Sequence, residues 1–313
     1  IIGFKTNKGE VVNAKVASSF ISHEQAEINL RELGSDSFDQ IAKKGRDEWN
    51  QVLGRIVVED DNVDNLRTFY SCLYRSVQFP RTFYEINSQG EVVHYSPFNG
   101  QVLPGYMFTD TGFWDTFRCL FPFLNLVYPS MNEKMQAGLV NAYKESGFLP
   151  EWGSPGHRNI MIGQNSASVV ADAYVKGLKN YEIEKLWKAV TKGANDHLRN
   201  TASGRVGYEH YNKHGYVPNN VGIGQNVART LEYAYNDYCV LRLAEYMRKG
   251  REITDVFARR SLNYRNLFHP QWRLMAGRDS GGNFRPAFSP FAWGGDFTEG
   301  NSLHYSWSEF HDP

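Results

Sequence analysis

Thr109-Asp110-Thr111-Gly112-Phe113-Trp114-Asp115-Thr116-Phe117-Arg118 is a loop that turns into a helix. Threonine and glycine come first, where a chain can turn. Apolar residues then fall at helical spacing, with Trp114, Phe117 and Leu120 on one side. Asp110 or Thr111 is expected to cap this helix, and Pro122 to kink or end it. A long polar segment, 81–110, precedes it, with strand-like pieces around 84–86 and 92–95. The same arrangement, a long aromatic, glycine-bearing loop entering a helix, recurs near Gln164, Thr230 and Gly300. A short link leads from the entered helix to a second one. The entry loops stand roughly fifty to seventy residues apart, the length of two helices with their connections. A toroid of helical hairpins explains this alternation: inner helices begin at one mouth and their entry loops share a site. An ordinary helical array with long loops has the same pattern. Self-similarity is weak, which disfavours a short-repeat solenoid.

Outward from that stretch, helices are expected over 64–78, over 131–146 with Gly147 as its stop, and as pairs over 166–178 with 181–197 and 229–247 with 252–268. The segment 200–225 reads as one long loop, and the last helix begins near Glu299. Towards the N-terminus, 23–33 is helical and stops at Gly34; Ser35 opens another helix that Gly54 ends. Residues 1–22, with Val11, Val12, Val16, Phe20 and Ile21 among polar residues, read as strand, the tail of a β-domain. The expected organisation is therefore the tail of a β-domain over 1–22, linker helices over 23–58, and a mainly α domain over 59–313.

Composition excludes some partners. The 34 basic and 34 acidic residues cancel and no basic block stands out, so nucleic acid has no electrostatic footprint here. No apolar run reaches membrane-spanning length, and no signal-peptide pattern opens the chain. Cys72, Cys119 and Cys239 are far apart and read as buried small hydrophobes. Aromatic residues make up 14% of the chain, many of them in glycine- and proline-rich loops. Sugar-binding clefts need that mixture; thick aromatic cores produce the same count.

Four loops carry the candidate chemistry. In the first, Trp114 and Asp115 suit a sugar, since a carboxylate beside an indole can bind hydroxyls; Asp115 and Arg118 could equally form an i,i+3 pair. In the second, Pro150 to Arg158, Trp152, His157 and Arg158 stand on a turn-rich segment that feeds a helix. In the third, Asn219 to Asn226, Gly222 and Gly224 make half a dinucleotide fingerprint without the surrounding βαβ pattern, so that function is rejected. The fourth is Asp296-Phe297-Thr298-Glu299-Gly300-Asn301. Thr298 could cap a helix and Gly300 allow a tight turn. Glu299 lies among Trp293, Phe297, Tyr305 and Trp307, where desolvation is expected to raise its pKa, as a general acid requires. A plain helix-start acid is the other reading. No nucleophile elbow or zinc spacing is present.

Together these segments resemble glycoside hydrolase family 92. The resemblance is carried by Phe113 to Arg118, Trp152 to Arg158, Met161-Ile162-Gly163, Ala171-Asp172-Ala173-Tyr174, Thr230-Leu231-Glu232-Tyr233-Ala234-Tyr235, Asp296 to Asn301, and Ser22-His23-Glu24-Gln25-Ala26. It implies an exo-acting, inverting, Ca2+-dependent α-mannosidase built from a β-sandwich and an (α/α)6 toroid, acting on mannose-containing glycans and usually exported. Glu299 then resembles the general acid, Asp115 a carboxylate on the terminal mannose, and Trp152, His157 and Arg158 subsite residues. The wording around Trp152 to Arg158 suggests the α-1,2 branch. Family members continue past Pro313 with segments that supply the general base and calcium ligands, so this chain is expected to be a fragment of a partial toroid. Another (α/α)6 enzyme, a phosphorylase or lyase, and a non-catalytic sugar-binding protein share these loops.

Overall fold

The computed structural model describes residues 1–312. Twelve α-helices dominate it. The first three are α1 (His23–Arg31), α2 (Phe38–Leu53) and α3 (Val63–Ser76). Then come α4 (Phe113–Thr116), α5 (Leu120–Val127), α6 (Pro129–Ser146), α7 (Asn165–Val175) and α8 (Ile183–Gly193). The chain ends with α9 (Tyr208–His214), α10 (Asn226–Tyr246), α11 (Arg251–Arg260) and α12 (Ser302–Tyr305). The strands are two to four residues long and form small antiparallel pairings, including a three-stranded sheet at 85–104.

Local chemistry explains most of the boundaries. Ser22 and Ser37 cap α1 and α2, the latter through a reciprocal capping box with Gln40. Gly147, in the left-handed conformation, ends α6 as expected. Other expectations fail for identifiable reasons. Asp110 and Thr111 do not cap α4, which starts after Gly112 without a side-chain cap. The Asp110 carboxylate is engaged by Arg81 instead. Pro122 ends nothing: the helix breaks before it, and it sits in the first turn of α5, where its missing N–H costs no bond. The supposed loop 200–225 contains α9, bracketed by left-handed Gly207 and Gly215. Residues 1–22 form no strand and are largely exposed, since a single extended segment has no ladder partner. Of the cysteines, only Cys239 is buried; Cys72 and Cys119 are exposed.

Two hairpins, α7–α8 and α10–α11, place the site. Asn165 meets Glu232 and Asn236, and three residues on Ser168 meets Asn236 and Cys239, so α7 and α10 run in the same direction side by side. They are the inner helices. Nearly every residue of α7 from Asn165 to Ala173 is buried, whereas α8 buries only the stripe through Leu186, Trp187, Ala189, Val190 and Gly193. The main core lies between these layers and α5, α6 and α11, with Phe121, Leu124, Val170, Leu186, Val190 and Val240 at its centre. A second cluster sits at the N-terminal half of α10, where Ile162, Leu231, Met275, Phe297 and Tyr305 pack together with Trp114 against them.

Candidate active site

The first two entry loops are joined by backbone pairing. Gly112 lies opposite Trp152 in an antiparallel bridge, and Phe113 N donates to Glu151 O at 3.0 Å. A Cβ on Gly112 would stand 2.1 Å from the Trp152 indole, so only glycine lets that ring lie on the backbone. Glu151 then turns inward. Its buried carboxylate accepts from Ser166 N at 2.9 Å and Ser166 Oγ at 2.5 Å, fastening the loop to the first turn of α7. Burial pushes its pKa up to about 8. His157 bonds Ser203 Oγ through Nδ1 at 2.8 Å, its ring lies 4.8 Å from that of Phe98, and its Nε2 is buried without a partner. Burial pushes its pKa down to about 4. Arg158 is exposed, its Nε donating back to Ser154 O at 3.2 Å.

Asp115 is exposed, and no ion pair joins it to Arg118 among the described residues. Arg118 turns to α10, where its Nη2 is 3.7 Å from Glu232 Oε1, and it stacks over Phe117 at 4.7 Å. Glu232 is the residue that sequence reasoning passed over. Its carboxylate is buried and receives Trp114 Nε1 at 2.8 Å on Oε1 and Asn165 Nδ2 at 3.0 Å on Oε2. Burial pushes its pKa up, opposed by the Arg118 charge and then by the two hydrogen bonds. The available signal was an acid in the otherwise apolar run Leu231 to Ala234, since unpaired charge is costly there.

The third and fourth loops also meet. Asp296 accepts from Asn226 Nδ2 at 2.9 Å and Arg285 Nη2 at 2.7 Å, and its backbone carbonyl takes Val227 N at 3.0 Å at the start of α10. Gly294 N donates to Gly300 O at 2.9 Å, and Tyr305 OH donates to Thr298 O at 2.7 Å, closing the turn between them. Within it the expected roles shift by a residue or more. Thr298 caps nothing, and its buried Oγ1 has no partner. Asn301 caps α12, accepting from Leu303 N and His304 N. The left-handed residue is Glu299 itself, at φ 48°, not Gly300. Its carboxylate is exposed, and so are Trp293 and Trp307; only Phe297 and Tyr305 of the expected aromatic bed are buried. The desolvation expected for Glu299 is therefore absent in this structure. A different acid is desolvated nearby: Glu309 is buried, neither carboxylate oxygen accepts a hydrogen bond, His311 Nδ1 stands 3.6 Å from Oε2, and burial, with the Glu232 charge adding, pushes its pKa up to about 9.

A groove of about 570 Å³ runs along the exposed face of α7 and α10, between Arg118, Ser168, Asp172, Tyr235, Tyr238 and Phe310. Calcium takes six to eight oxygen ligands. Among the described residues no three His, Cys, Asp or Glu side chains converge on a point. No described helix is long and apolar enough to cross a membrane.

Inner helices running the same way, with carboxylates and aromatic rings gathered at their N-terminal ends, are the arrangement of a helical-hairpin toroid with a site at its mouth. The chain belongs to glycoside hydrolase family 92: residues 25–313 match the glycosyl hydrolase family 92 catalytic domain. It is 48% identical to a family 92 inverting mannosidase from Bacteroides thetaiotaomicron VPI-5482, with a TM-score of 0.91 over 94% of this chain and 40% of that one. A family 92 α-mannosidase from Bacteroides thetaiotaomicron, solved also with mannoimidazole, is 30% identical, with a TM-score of 0.81 over 93% of this chain and 38% of that chain. An uncharacterised secreted glycosidase of Arthroderma benhamiae is 29% identical over 305 residues, 90% of this chain and 34% of its own length. The chain thus spans about two fifths of the solved relatives and a third of the curated one.

Proposed function

We propose that the chain is part of the catalytic domain of an exo-acting α-mannosidase that removes terminal mannose from glycans with inversion. The observation that supports this most is the likeness to the Bacteroides inverting mannosidase, which extends over nearly all of the chain. Trp114 and Asp115 hold the terminal sugar, and Trp152, His157 and Arg158 contact the next one, in keeping with an α-1,2 linkage. Glu299 acts as general acid. Its exposure fits a group that must reach the glycosidic oxygen of an entering substrate, which then desolvates it. It gives its proton to that oxygen as the bond to the anomeric carbon breaks. A water on the opposite face, deprotonated by a second carboxylate, forms the new bond. Inversion requires those carboxyls to stand about 6.5–9.5 Å apart, with room for that water. The base is not assigned to any residue of this chain. Calcium is implied by family membership, and no step is assigned to it. An exported location is in keeping with the secreted fungal relative.

The test uses the full-length parent chain. Glu299→Gln should lower kcat on an α-mannoside with an unactivated leaving group by about 10²–10⁴-fold while mannoside binding persists. Near wild-type turnover by this variant removes Glu299 from the acid role. Proton NMR of the first product should show β-mannose; α-mannose appearing first overturns inversion.

A further inference from the structure

Glu232 has no place in the reaction outlined above, yet the structure invests more polar contacts in it than in any of the candidate sugar-binding residues. Both of its partners, the Trp114 indole N–H and the Asn165 amide, are obligate donors, and each takes a different carboxylate oxygen. Asn165 is itself held: its Oδ1 accepts from Asn236 Nδ2 at 2.9 Å. Asn236 Oδ1 in turn accepts from Gln164 N at 2.7 Å. These bonds assign both amide orientations, so the NH2 of Asn165 faces Glu232 at 3.0 Å, with Ile162 O at 3.5 Å as its other acceptor. Gly163 completes the fit. It is left-handed at φ 83°, and a Cβ there would stand 2.5 Å from Asn165 Nδ2 and 3.0 Å from Glu232 Oε2. On the other side the Glu232 carboxylate faces the Arg118 guanidinium, which lies 5.6 Å from the Trp114 ring centre.

We propose that Glu232 is a positioning residue: its carboxylate locks the Trp114 indole and draws in Arg118, and so sets the wall on which the terminal sugar rests. This rests on the assignment of Trp114 to the sugar site. A carboxylate is required rather than any acceptor. An amide at 232 would set its own NH2 against either the indole N–H or the Asn165 NH2, and one bond would be lost whichever way it turned. Arg118 would lose its counter-charge at the same time. Trp114 precedes Asp115 on the same short helix, so a tilt of the indole also moves the carboxylate that binds the sugar.

The experiment compares Glu232→Gln, Trp114→Phe and the double variant in the parent enzyme. Glu232→Gln should raise KM for an α-mannoside about tenfold with kcat changed less than threefold, and the double variant should be no worse than Trp114→Phe alone, the non-additivity of residues that act as a unit. An unchanged KM with activity falling only as the folded fraction falls overturns the proposal, as do multiplicative losses in the double variant. A second readout needs no substrate. The near-ultraviolet circular dichroism difference between wild type and Trp114→Phe reports the fixed indole, and Glu232→Gln should remove most of it. An intact difference band overturns the proposal. A wild-type parent without mannosidase activity would defeat the proposed function instead, while the spectroscopic comparison would still decide the role of Glu232.

Discussion

The α7–α10 interface and the segment from Phe297 to Asp312 both bury carboxyl groups, and they treat them in opposite ways. At the interface each acid has donors. Glu232 has Trp114 and Asn165, and Asp237 has Tyr211 OH at 2.8 Å and an ion-pair contact with Arg205 at 2.7 Å. Arg205 is wholly buried, gives its Nε to Gln164 at 2.9 Å, and lies over Tyr211 and Tyr233. A continuous polar chain thus runs from Trp114 through Glu232, Asn165, Asn236 and Gln164 to Arg205 and Asp237. In the C-terminal segment the same kinds of group go without hydrogen bonds: Thr298 Oγ1 and both Glu309 oxygens accept none, and His311 Nδ1 stands 3.6 Å from Glu309 Oε2. The interface meets burial, which raises Glu232 and Asp237 as well, with donors and with the Arg118 and Arg205 charges. The segment keeps a carboxyl inside only by leaving it neutral, with burial holding Glu309 at about 9.

The sharpest way to break this contrast is to remove one buried charge from each side. Arg205→Met leaves buried Asp237 without its ion-pair partner and takes the donor from Gln164. It should destabilise the protein by about 3–5 kcal/mol, read as a lower urea midpoint at unchanged slope. Glu309→Gln replaces a carboxyl that burial holds protonated at pH 7, so its effect should depend on pH, moving in favour of the variant as pH rises. The folded-state pKa of Glu309 lies above its unfolded value of about 4.3, so its favourable contribution is complete below that pH and is lost as pH rises through about 9. Wild type should therefore lose stability relative to Glu309→Gln between pH 5 and 9. Parallel stability curves for the two proteins would show that Glu309 is not held neutral.

The difference between the regions also marks what could be read from the sequence. The helical pairs followed from periodicity, and the end of α6 from Gly147, because those signals are local. The entry loops were legible as a set, and the structure ties the first to the second and the third to the fourth by backbone bonds. Glu232 was not legible as a partner of Trp114. The two are 118 residues apart, and their bond exists only because α7 and α10 run side by side. The fourth loop misled in detail. Thr298, Glu299 and Asn301 can each begin a helix or a turn, and the Tyr305 bond to Thr298 O and the Asn301 cap decide between them only in three dimensions.

The smallest predicted effect lies at Glu299, and it separates stability from function at one residue. A non-glycine residue at φ 48° carries backbone strain, on the order of 1 kcal/mol, that persists only where surrounding bonds hold it. Here those bonds are the Gly294–Gly300 backbone contact and the Tyr305 hydroxyl on Thr298 O, not contacts of the exposed Glu299 side chain. Glycine accepts this backbone without the Cβ penalty, although its greater freedom when unfolded offsets part of the gain. Glu299→Gly should therefore raise stability by about 0.5 kcal/mol in urea unfolding, while abolishing α-mannoside hydrolysis by the parent chain. A loss of stability would mean that the glutamate side chain itself holds the turn. A gain together with lost turnover would show an acid kept in a strained position for its reach rather than for the fold.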